Sequence, residues 1–437
     1  MRIYANPRRC IVDNKLKERD KNAFSRVIYI IEAALEYFIS IAVGGVYLAE
    51  ITKYIGISDA ITGIITAFVS LGCGFQIIAL FLAHKKPVKR WVTVGHIISQ
   101  ILFALMYFVP LLDASKTSKT VLLIVTLFLA QIIHNAINAP KINWCMSLVD
   151  DNKRGSFTAN KEIVSLIGGM LFSYALGAIM DYLDNRIAFV IGGIILFVLL
   201  GLHTLTLVLT KEEKAEKINI NVRESISKLV KNKTLLKIII VFVLWNIGNY
   251  ATVSFSGAYQ VGENALAFTT TFASIIVIIS SIARVIFSKP IGKFADKYSF
   301  CKMLYICFGI EALAFAINIF TVPSNGKILF TMYSILHAIG QAGVNSAIVN
   351  LAYDYVADDQ KTGAVALVNT FSGIAGFLTT LALSPLVDYI QKNNNKLFGI
   401  SMYAQQLLSL ISLVVTILIL IYLATVISKI PSREKLS

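Results

Sequence analysis

Long apolar stretches separated by short polar segments dominate the chain. Twelve stretches can be counted, each near or above the roughly 20 residues that a helix needs to cross the hydrocarbon core of a bilayer. They lie at residues 25–50, 58–83, 91–112, 120–142, 157–180, 187–209, 235–260, 267–289, 302–322, 328–350, 362–388 and 399–428. Backbone groups within a bilayer must be paired inside their own segment, so each stretch is predicted to be a helix.

The composition agrees with this pattern, and the charge adds an orientation. The 437 residues are 56% hydrophobic and carry a net charge of +15. That charge would suit a nucleic-acid partner, but 33 of the 40 lysines and arginines fall in the two tails and in every second connection. Basic residues stay on the cytoplasmic side of a membrane. We therefore expect a multi-pass plasma-membrane protein with both termini cytoplasmic, the lipid bilayer as a partner, and no nucleic-acid partner.

Several function classes lack their usual motifs in this sequence. There is no GxxxxGK[ST] phosphate loop, HExxH pair or nucleophile elbow, so neither an ATP-driven pump nor an enzyme is indicated. The five cysteines have neither metal-site nor paired-disulfide spacing, and no metal or cofactor is predicted. The charged N-terminal tail lacks a signal-peptide cleavage site, so the first helix is expected to remain as an anchor.

The chain divides into two similar halves. The connection 210–234 separates a bundle at 25–209 from a bundle at 235–428, with cytoplasmic tails at 1–24 and 429–437. A shift of 212 residues places Gly45 on Gly257 and Tyr47 on Tyr259, and a shift of 207 places Asn138 on Asn345. Ordered coincidences at nearly one offset indicate two related six-helix bundles, as in transporters built from repeats.

A charged stretch after the eighth apolar segment carries a motif. The sequence "IGKFADKYSFCK" at 291–302 places Gly292, Asp296 and Lys297 in the order G-x-x-x-D-[RK], with Lys302 five residues later. This resembles the loop motif G-x-x-x-D-[RK]-x-G-[RK]-[RK] of the major facilitator superfamily. Ser299 replaces its second glycine, and His84 stands where the copy after the second helix has its aspartate.

The resemblance covers the architecture of the whole chain and implies a fold and a function. The expected fold is all-α, with twelve transmembrane helices in two pseudo-symmetric six-helix bundles, as in bacterial-type members of the family. The loop motif implies a gate: Asp296 would accept backbone N–H bonds from a neighbouring helix and pair with a basic residue. Arg284 is expected to snorkel or to pair with Asp296. The lysines are explained equally well as charges that set the topology.

Two stripes of polar residues lie inside the predicted spans. Gln131, His134, Asn138 and Lys141 recur on one face of the fourth helix, and His337, Gln341 and Asn345 recur on one face of the tenth. In the resembled family, helices one, four, seven and ten line the central cavity, which favours a substrate cavity over amides that only tie helices together. Lys141 is near a helix end, where it could simply snorkel.

The first and seventh helices supply the other candidates. Glu36 lies about ten residues inside the first span and is the candidate for proton coupling, while an interfacial carboxylate paired with Arg26 or a neighbouring lysine is an equal alternative. The remaining cavity candidates are Tyr47 of the first helix and Trp245, Asn246, Asn249 and Tyr259 of the seventh. The histidines at 96 and 203 are interpreted as packing residues.

These observations predict a secondary active transporter, expected to be a monomer, that moves a small organic solute by alternating access with protons as the coupling ion. A lipophilic drug/proton antiporter of the same fold is the alternative, as is a non-transporting receptor or scaffold. The sequence names neither the solute nor the direction of transport.

Overall fold

The structure is a computed structural model that describes residues 7–77, 88–149, 154–212, 222–356 and 360–430. The loop around His84 lies outside these residues. The helices are α1 Pro7–Ala42, α2 Gly45–Ile55, α3 Asp59–Thr66, α4 Phe68–Gly74, α5 Val88–Leu105, α6 Lys116–Met146, α7 Arg154–Tyr182, α8 Asn185–Leu209, α9 Val222–Lys231, α10 Lys233–Val261, α11 Thr270–Lys297, α12 Phe300–Asn318, α13 Gly326–Asp354, α14 Lys361–Lys392 and α15 Ala404–Thr425. Short 3-10 turns span Val109–Leu111 and Ile427–Lys429, and strands β1 Lys396–Leu397 and β2 Ile400–Ser401 form a small antiparallel hairpin.

The helices account for all twelve predicted spans. Nine helical segments among the described residues are long and apolar enough to cross a membrane. The second, third and tenth apolar stretches are represented by α3 with α4, by α5 and by α13. The central connection contains the short helix α9. The fold is therefore the expected twelve-helix arrangement, and α1 extends well beyond the expected start at residue 25.

Capping side chains fix where many of the spans begin. Ser115 Oγ accepts a hydrogen bond from Ser118 N at 3.1 Å, and Thr269 Oγ1 accepts one from Phe272 N at 3.1 Å. Asn232 Oδ1 accepts from Thr234 N and Leu235 N at 3.0 and 3.1 Å. Each cap pairs amide groups that the first turn of a helix leaves without a partner. Short polar segments therefore set the helix starts that bring side chains to fixed depths in the bundle.

Each half has its own apolar core. One cluster of buried residues runs from Leu229 to Ile427 and is drawn from the second half. Another runs from Leu35 to Leu199 within the first half and includes a few second-half residues, such as Ala258 and Ala273. Separate cores allow two bundles to move as units, because close-packed interiors resist deformation.

The halves meet through a defined set of helices. α14 packs against α3 and α4, α11 packs against α7, and α10 packs against α2 and α3. We call the end of the bundles formed by residues 56–58, 262–269 and 393–403 the sealed end. There Gln391 Nε2 donates to Asp59 Oδ2 at 2.6 Å, and Lys53 Nζ donates to the Val261 carbonyl at 3.0 Å. These polar contacts hold the two halves together at that end.

Two glycines permit a close approach between the halves. The first span breaks between α1 and α2, where Gly45 has a φ of +53° that favours glycine. A side chain at Gly257 of α10 would bring its Cβ within 2.5 Å of the Gly45 carbonyl oxygen. The repeat-related pair Gly45 and Gly257 is therefore a backbone-to-backbone contact across the interface.

Replacement of Gly257 by valine should separate the halves at the sealed end. Its Cβ would overlap backbone of the other half, and backbone cannot turn aside as a flexible side chain can. In a background without the five native cysteines, spin labels at Tyr54 and Lys396 should show a population at longer distance. The matched control is Gly201→Val, because a Cβ on Gly201 meets no atom within 4 Å. An unchanged distance distribution in Gly257→Val would contradict the role given to this contact.

Candidate functional site

A buried ammonium group joins two carboxylates in the first half. Lys141 of α6 is 1% exposed. Its Nζ donates to two glutamates of α1, to Glu32 Oε1 at 2.8 Å and to Glu36 Oε2. The two glutamates are one helical turn apart, so a single cation can reach both. An ion pair at this depth has no water to stabilise its charges and depends on its own partners. The ion cluster links the first and fourth spans.

Histidines extend this cluster across the first half. His203 Nε2 of α8 lies 2.8 Å from Glu32 Oε1, and Gln100 of α5 hydrogen-bonds the other ring nitrogen of His203. Both side chains are buried. Four helices therefore contribute to one polar network, which we call the Glu32–Lys141 network: Glu32, Glu36, Gln100, Lys141 and His203.

A neighbouring group of side chains has unused polar atoms. His134 Nε2 of α6 lies 3.7 Å from Glu36 Oε1, and the ring of His96 lies 5.8 Å from that of His134 between centroids. Both nitrogens of His96, Nδ1 of His134 and Oε1 of Glu36 are buried without a hydrogen-bond partner among the described residues. Their unused lone pairs make this corner of the network receptive to a cation.

The residues present fit a proton better than a divalent metal. Glu36, His96 and His134 offer ligand atoms within 4.8 Å of one another, so three protein ligands are available. The other oxygen of Glu36 is already bound to the Lys141 ammonium. A divalent ion on the same carboxylate would be repelled by that charge at short range in a poorly screened environment.

The two glutamates differ in their access. The side chain of Glu32 is 1% exposed, whereas that of Glu36 is 21% exposed. Of the two, only Glu36 is therefore accessible enough to exchange a proton.

The second half has a smaller network of the same kind. His337 Nδ1 of α13 lies 2.7 Å from Glu311 Oε2 of α12, and Glu311 is fully buried. Gln341 Nε2 lies 3.0 Å from His337 Nε2 and donates to Asn249 Oδ1 of α10 at 3.4 Å. The stripe predicted on the tenth span, now α13, is thus joined to the seventh span, α10, and to the ninth, α12.

A cavity of about 270 Å³ lies between α10, α11 and α13. Its polar lining comes from Arg284 and from residues such as Ser256, Gln260, Ser334, His337 and Gln341. Arg284 and Asp296 are twelve residues apart on α11, or about 18 Å at 1.5 Å per residue. The geometry therefore gives Arg284 a place at the cavity instead of the expected pairing with Asp296.

A larger cavity of about 900 Å³ lies at the sealed end. Both halves line it, with Lys53 and Asp59 from the first and Tyr259, Gln391 and Gln405 from the second. Tyr259 is thus at a cavity other than the one that His337 and Gln341 line. Its hydroxyl donates to the Thr321 carbonyl at 2.9 Å.

The other sequence candidates have varied surroundings. Tyr47 is 2% exposed, and its hydroxyl lies 2.6 Å from the Ser173 carbonyl and 2.8 Å from Ser274 Oγ, which places it between the halves. Trp245 is buried against Phe308 and His337, behind the smaller cavity. Gln131 is buried and accepts from Asn135 Nδ2. Asn138 and Asn246 are half-buried, and Asn345 is exposed.

The loop motif is at the surface of the molecule. Asp296, Lys297 and Lys302 are exposed, and a Cβ on Gly292 would meet no atom within 4 Å. The two lysine ammonium groups lie over the ring of Tyr298, at 5.1 and 5.6 Å from its centroid. Within the described ranges, Asp296 forms no ion pair.

Sequence reasoning missed much of the first-half network. Lys141 was given a snorkelling alternative, yet its ammonium turns inward to the glutamates. His203 was interpreted as a packing residue, yet it contacts Glu32. The available signal was composition: two acidic side chains within the first span require cations at the same depth, and Lys141 and His203 are basic side chains of other spans.

Lys141→Met should destabilise the fold strongly. It leaves two carboxylates without their shared cation, and loss of one partner of a buried ion pair costs about 3–5 kcal/mol. The free energy of unfolding in detergent, from denaturant titration, measures the loss. Lys233→Met, at an exposed lysine, should change it little.

The companion variant tests whether the carboxylates cause the loss. Glu32→Gln removes one of the charges that Lys141→Met leaves unpaired, so the double variant should lose less than the sum of the two single changes. Simple additivity would show that the ammonium and the Glu32 carboxylate do not interact.

The comparisons with known proteins agree with this architecture. The family model of the Major Facilitator Superfamily matches residues 30–380 and 263–436. No curated protein matches the chain. The nucleoside transporter NupG is 16% identical, with a TM-score of 0.69 over 93% of this chain and 100% of its own. A D-xylose–proton symporter is 12% identical, with a TM-score of 0.73 over 94% and 98%.

A third solved structure, the Escherichia coli fucose:proton symporter FucP, is 15% identical, with a TM-score of 0.56 over 92% of this chain and 98% of its own. Likeness at such identities shows the fold alone. The family model extends over nearly all of both bundles, and it is this match that assigns the family. The chain belongs to the Major Facilitator Superfamily.

Proposed function

We propose that this protein is a proton-coupled secondary transporter that moves a small polar organic solute across the plasma membrane by alternating access. The observation that carries the proposal is the Glu32–Lys141 network, buried within the first and fourth spans. Ionisable side chains inside a membrane are costly and mark ion or substrate pathways. Membership of a transporter family supports the same reading.

The net charge of the network allows it to take up one proton. Glu32 and Glu36 contribute two negative charges and Lys141 one positive charge, while His96, His134 and His203 are uncharged unless protonated. One bound proton neutralises the group, and its release leaves a net negative charge. A site that alternates between these two states, with Glu36 partly exposed, is suited to coupling.

The distribution of basic residues supports an orientation. With both termini cytoplasmic, the sealed end faces outward, and the polar contacts there describe a state closed on that side. Asp296 is exposed and forms no ion pair within the described ranges, so we assign it to a gate at the cytoplasmic end that forms its contacts when that end closes. The protein is proposed to act as a monomer, since each chain contains both halves of the pathway.

A polar solute is favoured over a lipophilic one. The polar part of the smaller cavity's lining consists of serine, glutamine, tyrosine, histidine and arginine side chains, beside apolar residues such as Val253, Val277 and Phe330. These groups would lose their hydrogen bonds to water against an apolar drug without regaining them. The structural neighbours include transporters of a nucleoside, D-xylose and fucose. A drug/proton antiporter is the second candidate, and a receptor or scaffold would have no use for a buried network of charges beside a cavity.

Glu36→Gln should abolish proton-driven solute movement but retain exchange. The amide keeps the size of the side chain and cannot take up or release the coupling proton. The measurement compares pH-driven uptake with solute counterflow in liposomes. Glu162→Gln, at an exposed glutamate, is the matched control and should behave as wild type. Proton-driven transport at the wild-type rate in Glu36→Gln would rule out the coupling role.

Asp296→Asn should slow transport without loss of folded protein. The amide lacks the charge that would pair with a basic residue when the cytoplasmic end closes, so the closed state is less populated. Initial rates of counterflow, normalised to reconstituted protein, measure the effect. The control is Asp113→Asn, at an exposed loop aspartate. Normal turnover in Asp296→Asn would exclude a gate at this residue.

A further inference from the structure

Arg284 is a fixed positive charge in the middle of a membrane-crossing helix. It lies near the centre of α11, a helix of 28 residues, and it lines the cavity of about 270 Å³. A guanidinium keeps its charge at every accessible pH and has five N–H donors. A permanent cation at this depth needs an anionic partner or a function.

No carboxylate of the described chain is that partner. Glu36 is bound to Lys141, and Glu311 is bound to His337 and does not line the cavity. Asp296 lies about three helical turns away along α11. Within the described ranges no ion pair involves Arg284, so its guanidinium faces the cavity without a counter-charge.

The cavity also contains neutral side chains that can hydrogen-bond to an anion. Ser280, Ser281, Ser334 and Gln341 add neutral hydrogen-bonding groups beside the guanidinium. Ser280 Oγ is buried and has no hydrogen-bond partner among the described residues. An unsatisfied hydroxyl and an unpaired guanidinium four residues apart lie on one helical face and point to the same missing group.

The site is also close to the other half of the protein. Tyr37 of α1 packs next to Ser281 and within electrostatic range of Arg284. It is the neighbour of Glu36 in the sequence, so the cavity lies beside the helix that carries the network of the first half. A solute held here is positioned between the two bundles, as alternating access requires.

We infer that the transported solute carries an anionic oxygen group, in the first place a carboxylate, that binds the guanidinium of Arg284. This inference rests on the proposed transport function and names its substrate class. The cavity volume of about 270 Å³ corresponds to roughly nine heavy atoms if each takes about the 30 Å³ of a liquid water molecule. The class is therefore small organic acids.

The test uses acid and amide pairs of equal size with the full-length protein in detergent. The probes are benzoate against benzamide and glutarate against glutaramide, and the readout is the ligand-dependent shift in melting temperature, fitted to a dissociation constant. At least one acid should bind about tenfold or more tightly than its amide, because a charge-assisted bidentate contact is stronger than a neutral one.

Variants of Arg284 test whether this residue causes the preference for the acid over its amide. In Arg284→Gln the acid and its amide should bind within about twofold of each other, and Arg284→Lys should keep part of the preference, since a lysine carries the charge without the fork. Arg186→Gln, at an exposed arginine, should leave it unchanged. The inference is overturned if no acid binds more tightly than its amide, or if Arg284→Gln keeps the full preference.

A second measurement needs no ligand. Ser280→Glu places a carboxylate four residues before Arg284 on the same helix, the favourable order for an ion pair. The melting temperature of Ser280→Glu should stay near that of wild type. The melting temperature of the double variant Ser280→Glu with Arg284→Gln should be clearly lower than that of Arg284→Gln alone. Equal losses in both backgrounds would show that the guanidinium does not accept a carboxylate.

The outcomes separate this inference from the transport proposal. Arg284-dependent binding of an acid without counterflow of that acid in liposomes would refute transport and leave the anion site standing. Counterflow of a neutral solute, unaffected by Arg284→Gln, would support transport and refute the anion site.

Discussion

The ion cluster of Lys141 with Glu32 and Glu36 is the constraint on which the first half depends. Three formal charges share a volume from which water is largely excluded, so each is stable only through the others. Because the glutamates are on α1 and the lysine is on α6, the cluster also fixes how these spans pack. His203 and Gln100 extend the constraint to α8 and α5. Any movement of α1 that separates Glu36 from Lys141 must supply another cation.

The interface between the halves is held by other kinds of interaction than the ion cluster. It combines close approach and scattered polar contacts with apolar packing, such as that of Ala60 with Phe255 and Val387. Gly45 and Gly257 let two backbones meet, while Ser70 Oγ donates to the Gly373 carbonyl at 2.8 Å and Ser384 Oγ to the Ala60 carbonyl at 2.9 Å. Contacts of this kind are individually modest. An interface that must open and reseal is better served by them than by a large apolar surface.

The sequence predicted the fold well because hydrophobic length is a direct consequence of the bilayer. Twelve apolar stretches became twelve spans, since backbone groups in lipid have few other solutions. The site was predicted only in outline: Glu36, His134, His337 and Gln341 lie in polar networks, as their spacing on single helices indicated.

The sequence did not show which side chains of different helices contact one another. Spacing shows which residues share a face of one helix, but the partners of Glu32 are on α6 and α8. The surroundings of Arg284 were likewise beyond the sequence, because the cavity that it lines is formed together with α10 and α13. Three-dimensional neighbours and true helix ends depend on tertiary packing, which no local pattern contains.

The proposed proton and the proposed anionic solute are linked by charge. A lone carboxylate carried into a cell works against an inside-negative potential, at about 2.3 kcal/mol per charge per 100 mV. A proton taken up by the network around Glu36 cancels that charge when both cross together. The two sites lie on neighbouring helices of opposite halves, since Tyr37 follows Glu36 and lies next to Ser281, within electrostatic range of Arg284. An unpaired cation for the solute and a network one proton short of neutrality are the two elements that an electroneutral symporter of organic acids needs.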